Sequence, residues 1–476
     1  MRRRRMFAVM LTITPYGAAG EVTGSAYLVE TDAATVLVDF GMFQGDKDDD
    51  ARNVIPGRIH RNSVDAVVLT HAHLDHCGRL PLLRREGIKC PIYATDASRD
   101  MAELVLRDAA RIQEGDFERR KRRAERLGHK LPRNEQPMFD EEDVERTLAQ
   151  FRVVDYDLPI DVAKGIQAVW HEAGHMLGSA SVELRILVDG NEKIVVFSGD
   201  VGPAKLPYLR DPEPPRRADI VILESTYGDR DHKSEQETID EFCAIVNDAH
   251  AKNGKIFVPA FAIGRTQQIL YYYTKLQLAG RIPVMPVFVD SPMAIGASKI
   301  YAAHSELLDE ESSRMAEVGN SPLRRRNVEF LETAEESKEL NERNGPFMVI
   351  AGAGMCNAGR IVHHIRNNIE NPNAHFMIVG FQAHGSLGRK IVDRVPEIRV
   401  MGEIRNVRAQ IHTLGGMSAH AGQSDLAAWF GAMADSKPTV ILTHGEDSAR
   451  KPFADRLRGE FGVEPILPVY AQHLSF

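Results

Sequence analysis

Short apolar runs in this chain repeatedly stop on a residue type that binds metal ions. Residues 35–39 read TVLVD and end on Asp39, while residues 66–70 read AVVLT and lead directly into His71-Ala72-His73-Leu74-Asp75-His76. Further along, VVFSGD ends on Asp200, VILE on Glu224 and TVILTH on His444. Runs this short, rich in β-branched residues, suit strands buried on both faces. Polar residues at the ends of such strands, most of them beside a Gly or Ser, are where α/β-type folds gather their active sites. One such Asp alone is more often a turn or cap residue, so the inference rests on their joint occurrence.

The segment 71–76 is the densest of these features, with three His and one Asp in six residues. Strand alternation puts His71 and His73 on a common side, and the following loop turns Asp75 and His76 towards a second position. Imidazole nitrogens and carboxylate oxygens are the ligands of catalytic zinc sites, which keep an open position for water. His175, within Ala173-Gly174-His175-Met176-Leu177-Gly178-Ser179-Ala180, offers a further ligand. Zinc suits this donor set, and similar sites accept manganese or iron.

With 476 residues the chain exceeds one ordinary domain, and 43% hydrophobic with 26% charged residues is a soluble globular composition. A net charge of −8 gives no global basic field that would advertise a nucleic-acid partner, although a local basic groove remains open. Cys77, Cys90, Cys243 and Cys356 form no CxxC pair, which suits a reducing compartment and a cytoplasmic location. The basic start at residues 1–5 and the apolar stretch to Ile13 read as a tag-like start before a first strand rather than a secretion signal. No apolar run is long enough to cross a bilayer.

Strands and turns are expected to about residue 95, a helical stretch from Asp96, and strands again at 166–170, 181–188, 194–198 and 220–223. After Tyr227 the texture becomes alternating strand and helix, with strands at 256–259, 287–290, 347–351 and 375–380. That alternation predicts a parallel α/β layer. Short strands return after Val407, notably 439–443.

HAHLDH, with Asp39, His175 and Asp200, resembles the signature of the metallo-β-lactamase superfamily. The resemblance implies an αββα sandwich holding His71, His73 and His175 on one zinc, and Asp75, His76 and His444 on a second. Asp200 would bridge the two, and Asp39 would orient a ligand imidazole. Glu224-Ser225-Thr226-Tyr227-Gly228, Ser418-Ala419-His420 with Asp425, and Leu442-Thr443-His444-Gly445-Glu446 resemble motifs A, B and C of the β-CASP nucleases. Segments around Arg265, Asp290, Arg360 and Gln382 resemble that family too; His384 stands where its members often carry an acidic residue. The implied architecture is a metallo-β-lactamase domain over 1–227 and 404–476, with a β-CASP α/β domain inserted over 228–403 and the active site between them.

A histidine at motif C is associated with the RNA-processing branch, so His444 points to single-stranded RNA as the partner. Motif B resembles the pre-mRNA 3′-end cleavage endonuclease and its prokaryotic relatives, and the bacterial stand-alone type fits best. The expected activity is endonucleolytic, with a 5′-to-3′ exonuclease mode left open. Two ions ~3.5–4 Å apart would lower the pKa of a shared water and neutralise the phosphate. The resemblance implies displacement of the 3′ oxygen, leaving a 5′ phosphate. His420 is the expected proton donor to that oxygen, held by Glu224, and contact with phosphate alone is its other reading. Asp39 and Asp75 complete the expected catalytic set; Ser418, Arg265, Arg360 and His363 are expected at the substrate, with a helix-surface role for His363 also open. The basic cluster from Arg119 to Arg126 suits an RNA backbone or a solvated helix face equally. A DNA-directed nuclease and a catalytically silent RNA-binding subunit are the competing readings, and a homodimer is left open.

Overall fold

Nearly every short apolar run forms a strand buried on both faces in the computed structural model, which describes residues 11–45, 49–60, 63–129, 136–380, 382 and 385–476. The basic start, the apolar run before Leu11, Lys130, Phe381 and His384 lie outside the described residues. The chain divides into two compact units. Met1–Ala204, Asp211–Asp231 and His420–Phe476 form the first, and Lys205–Arg210 with His232–Ala419 form the second.

In the first unit, Thr12–Pro15 pairs antiparallel with Tyr27–Glu30, which pairs antiparallel with Thr35–Val38. Ala66–Val68, Ile92–Thr95 and Phe151–Val154 then follow in parallel, and Leu474–Ser475 closes the other edge to make seven strands. A six-stranded sheet runs Thr439–Thr443, Ile220–Glu224, Asn191–Phe197, Ala180–Val188, Ile166–Glu172, Ile160–Ala163. Alternation divides its side chains between two cores. Val195, Phe197, Ile220, Ile222 and Ile441 pack with Val29, Val36, Val38 and Val68 of the seven-stranded sheet. Val196, Val221, Leu223 and Leu442 pack instead with Phe430 of the helix Gln423–Gly431 and with Phe453 and Leu457 of Asp447–Phe461. Sheets covered on both faces explain why these strands read as unbroken apolar runs.

The second unit holds a parallel six-stranded sheet in the order Val328–Phe330, Val287–Val289, Phe347–Ala351, Lys255–Pro259, Ala374–Ile378, Gln410–Thr413. Its strands alternate with helices such as Arg265–Leu278 and Pro292–Ala303, as the sequence texture predicts. Gln410–Thr413 pairs with Ala374–Ile378 and completes this sheet, and the compact first unit resumes at His420. Among the described residues no helix is long and apolar enough to cross a membrane.

One buried cation ties the loops of the first unit together. Arg79 is 0% exposed and lies over the rings of Phe40 and Phe43. Its guanidinium donates to the carbonyls of Tyr16 (3.3 Å), Gly24 (3.1 Å), Gly41 and Val54 (3.3 Å). Burial holds its pKa down at about 9. Only a planar fork reaches acceptors in so many directions. Arg79→Leu is expected to destabilise the protein by about 3–5 kcal/mol, since each carbonyl left unsatisfied costs roughly 1–3 kcal/mol. Arg79→Lys should rescue little of this. Denaturant unfolding monitored by circular dichroism checks the expectation, and an unchanged midpoint would contradict it.

Candidate metal centre

The polar residues of the first unit sit at carboxyl ends of neighbouring strands, so parallel pairing delivers them side by side. Asp39 follows Thr35–Val38, and His71 and His73 follow the adjacent Ala66–Val68. Asp200 follows Asn191–Phe197, Glu224 ends Ile220–Glu224, and His444 follows Thr439–Thr443. Asp39 (φ 58°) and His444 (φ 46°) both turn through left-handed backbone, a strain of roughly 1–3 kcal/mol each that the surroundings must impose. Gly41 lies so close to the Leu74–Cys77 turn that a Cβ would fall 1.5 Å from the Asp75 carbonyl oxygen. The backbone N–H groups of Phe40 and Met42 donate there to the carbonyls of His76 (2.8 Å) and Leu74 (2.7 Å).

Two groups of donor atoms result. In the first, His73 Nδ1 lies 3.1 Å from both His71 Nε2 and His175 Nε2, and Asp200 Oδ2 lies 3.5 Å from each of those Nε2 atoms. In the second, His76 Nε2 lies 3.3 Å from His444 Nε2 and 3.3 Å from Asp200 Oδ1, and Asp75 Oδ2 lies 3.4 Å from His444 Nε2. Asp200 thus offers one oxygen to each group. Four ligands ~2.0–2.1 Å from a tetrahedral zinc sit about 3.3–3.4 Å apart, close to the separations found.

Residues outside these groups fix the rings. Asp39 Oδ2 accepts from His76 Nδ1 at 2.8 Å, which leaves the His76 Nε2 lone pair for the second group. Thr70 donates its hydroxyl to the same oxygen (2.8 Å) and its N–H to Asp39 Oδ1 (2.8 Å). The Thr70 oxygen lies 3.1 Å from His71 Nδ1, and the Thr226 hydroxyl 3.0 Å from His444 Nδ1. Neither threonine stands out by residue type; their only sequence signal is a place beside a ligand or a motif carboxylate. Ser179 receives the N–H groups of His175 (3.1 Å) and Met176 (3.2 Å) and so shapes that loop. Glu224 Oε1 faces His420 Nδ1 at 3.2 Å and also accepts the Val201 N–H at 2.8 Å.

Electrostatics make this a place for cations. Burial pushes the pKa of His71 well down and that of His73 down, which keeps both imidazoles neutral, the form that ligates metals. Burial alone would raise Asp200, but His444, His76, His420 and His71 together hold it well below the usual carboxylate range. Burial likewise opposes ionisation of Asp75, yet the His444 hydrogen bond and the charges of His76 and His444 bring it to about 2. His420 would be depressed by burial, but Glu224 and then Asp200 raise it to about 9. Asp39, Asp75, Asp200 and Glu224 are paired only with histidines among the described residues, with no Lys or Arg between them. Asp200 Oδ1 is buried without a well-formed hydrogen bond. Buried carboxylates whose only ionisable partners are imidazoles fit divalent cations.

The other residues expected at the substrate belong to the second unit. Arg360 donates to Asp290 Oδ1 (2.6 Å) and to the carbonyls of Leu331 (2.9 Å) and Glu332 (2.8 Å), so its fork is engaged by protein acceptors. His364 is buried on Asp290 at 2.7 Å, while His363 is exposed on the helix Ile361–Asn368. Arg265 opens the helix Arg265–Leu278 and is 7% exposed, and Ser418 is buried. All four cysteines are free and buried.

The chain is similar to known proteins over most of its length. Family models match for the metallo-beta-lactamase superfamily over residues 19–242, the Beta-Casp domain over 266–391, and the Zn-dependent metallo-hydrolase RNA specificity domain over 404–468. The chain is 40% identical over 438 residues to ribonuclease TTHA0252 of Thermus thermophilus, covering 92% of this chain and 94% of that one. It is 28% identical over 476 residues to transcription termination factor FttA of Pyrococcus horikoshii, covering 96% and 70% respectively. Among solved structures, a protein of unknown function from Enterococcus faecalis matches with a TM-score of 0.56 at 13% identity, over 98% of this chain and 100% of that one, and so shares the fold.

The shared carboxylate predicts a particular stoichiometry. Metal-depleted wild type should take up two divalent ions per chain by elemental analysis after dialysis, His71→Ala and His76→Ala about one each. Asp200→Ala should weaken both sites, and an Asp200→Ala protein that still holds two ions would refute a shared ligand.

Proposed function

The chain belongs to the β-CASP family of the metallo-β-lactamase superfamily, and on that premise we propose that it is a zinc-dependent ribonuclease that cuts single-stranded RNA at a two-metal site. The observation that carries this reading is Asp200, set between two ligand groups with one oxygen toward each. The RNA substrate is supported by the histidine at residue 444, by the RNA-specificity match over 404–468 and by the 40% identity to a ribonuclease. Zinc is favoured by the nitrogen-rich donor set, and manganese or iron would also be accepted. The buried free thiols support a cytoplasmic location.

A metal pair bound there would supply an activated water and neutralise phosphate charge. The protein's own groups would do the rest. Asp39 holds His76, Thr70 holds Asp39, and Thr226 holds His444, so the rings present fixed nitrogens and need no reorganisation during turnover. Glu224 fixes His420 through Nδ1 and keeps it protonated near neutral pH. His420 is then placed to give its proton to the departing 3′ oxygen. Asp75 and Asp200 stay ionised throughout.

Incubating zinc-loaded protein with end-labelled single-stranded RNA and matched DNA tests the reading. Internal cuts in RNA, lost in Asp75→Ala, are expected. His420→Ala should keep its metal and lower kcat by ~10²–10⁴-fold, the usual worth of a general acid. Cutting of DNA alone, or of neither polymer, would overturn the proposal.

A further inference from the structure

The Asp96–Arg126 helix is far longer than its packing requires. Its buried side chains run from Ala97 to Ala110 and then stop; from Arg111 to His129 no residue is buried. Thr95 caps its start, and the hydroxyls of Thr95 and Ser98 donate to the Gly178 carbonyl at 2.6 and 2.7 Å, on the loop that carries His175. At 1.5 Å per residue, Arg119 lies about 35 Å along the helix from that anchor.

The free end is strongly basic. Arg119, Arg120, Lys121, Arg122, Arg123 and Arg126 face Glu118 and Glu125 in the ten residues 117–126, a net charge of +4 on a chain of −8. A polar helix without a packed face is ordinarily laced by alternating charges. Here Arg119 pairs with Asp116 and Lys121 with Glu118 at 3.9 Å, while Arg122, Arg123 and Arg126 make no ion pair among the described residues. The charges of Arg122, Arg123 and Arg126 are therefore available to a polyanion.

We propose that this helix end is an arm for the RNA backbone, holding the strand by its phosphates far from the bond that is cut. The inference rests on the ribonuclease reading, because the substrate is the polyanion that the arm complements. Phosphate contacts of this kind carry affinity and salt dependence without sequence preference. A strand stacked at ~3.4 Å per nucleotide needs about ten nucleotides to cover 35 Å, so the arm serves long RNA and not short RNA.

The test compares wild type with the fourfold variant Arg119→Gln, Arg120→Gln, Arg122→Gln, Arg123→Gln and with the corresponding fourfold Arg→Lys variant. Gln and Lys keep helix propensity, so the helix should persist in both. For RNAs of ~30 and ~6 nucleotides, the ratio of kcat/KM, long over short, should fall about tenfold in the Gln variant and hold in the Lys variant. Binding of a phosphorothioate-backbone RNA of ~30 nucleotides should lose about 0.7 from the slope of log K against log salt for each contact removed. An unchanged ratio and slope would overturn the arm while leaving the ribonuclease intact, and equal losses in the Lys and Gln variants would overturn it as well. If polyglutamate, and not RNA, loses binding in the Gln variant, the arm belongs to an acidic protein and the proposal fails. Wild type that cuts neither RNA would remove the ribonuclease reading, with the binding slope still deciding whether the arm holds a nucleic-acid backbone.

Discussion

A buried carboxylate surrounded by imidazoles governs this structure. Asp200 is 2% exposed and lies within 4 Å of nitrogens of His71, His76, His175, His420 and His444. An anion in such a place is tolerable only when opposite charge or donors surround it, and no Lys or Arg is paired with it among the described residues. The two ligand groups are built around this carboxylate, and it adds to Glu224 in raising the pKa of His420, while burial keeps His71 and His73 neutral against its pull.

The fold delivers that arrangement by a repeated device. Apolar strands covered on both faces end at one sheet edge, and the next residue or two carry the chemistry. Where regular backbone would aim the side chain wrongly, the chain accepts left-handed residues at Asp39 and His444. Where two segments must touch, it uses Gly41. Arg79 then joins the carbonyls of separate loops, so the strand ends cannot drift independently.

Much of this was legible in the amino-acid sequence, because strand-end His and Asp residues are rare enough to be informative and the apolar runs fall into short β-type patterns. The structure brings His71, His73, Asp75, His76, His175, Asp200 and His444 into two groups, and Glu224 to His420. Thr70 and Thr226 were not legible, since a hydroxyl beside a ligand looks like any strand or turn residue until its partner is known. Arg79 was hidden for a similar reason: an Arg in a polar loop reads as solvated, and its acceptors are backbone atoms with no sequence signature. The tie between Arg360 and Asp290 was not legible either, because the two lie far apart in sequence.

Anomalous diffraction at the zinc edge from crystals of the zinc-loaded protein decides whether Asp200 lies between two ions. Two peaks ~3.5–4 Å apart are expected, one ligated by His71, His73 and His175 and the other by Asp75, His76 and His444, with one Asp200 oxygen on each at ~2.0–2.2 Å. A single peak, or two peaks that do not share Asp200, would contradict it.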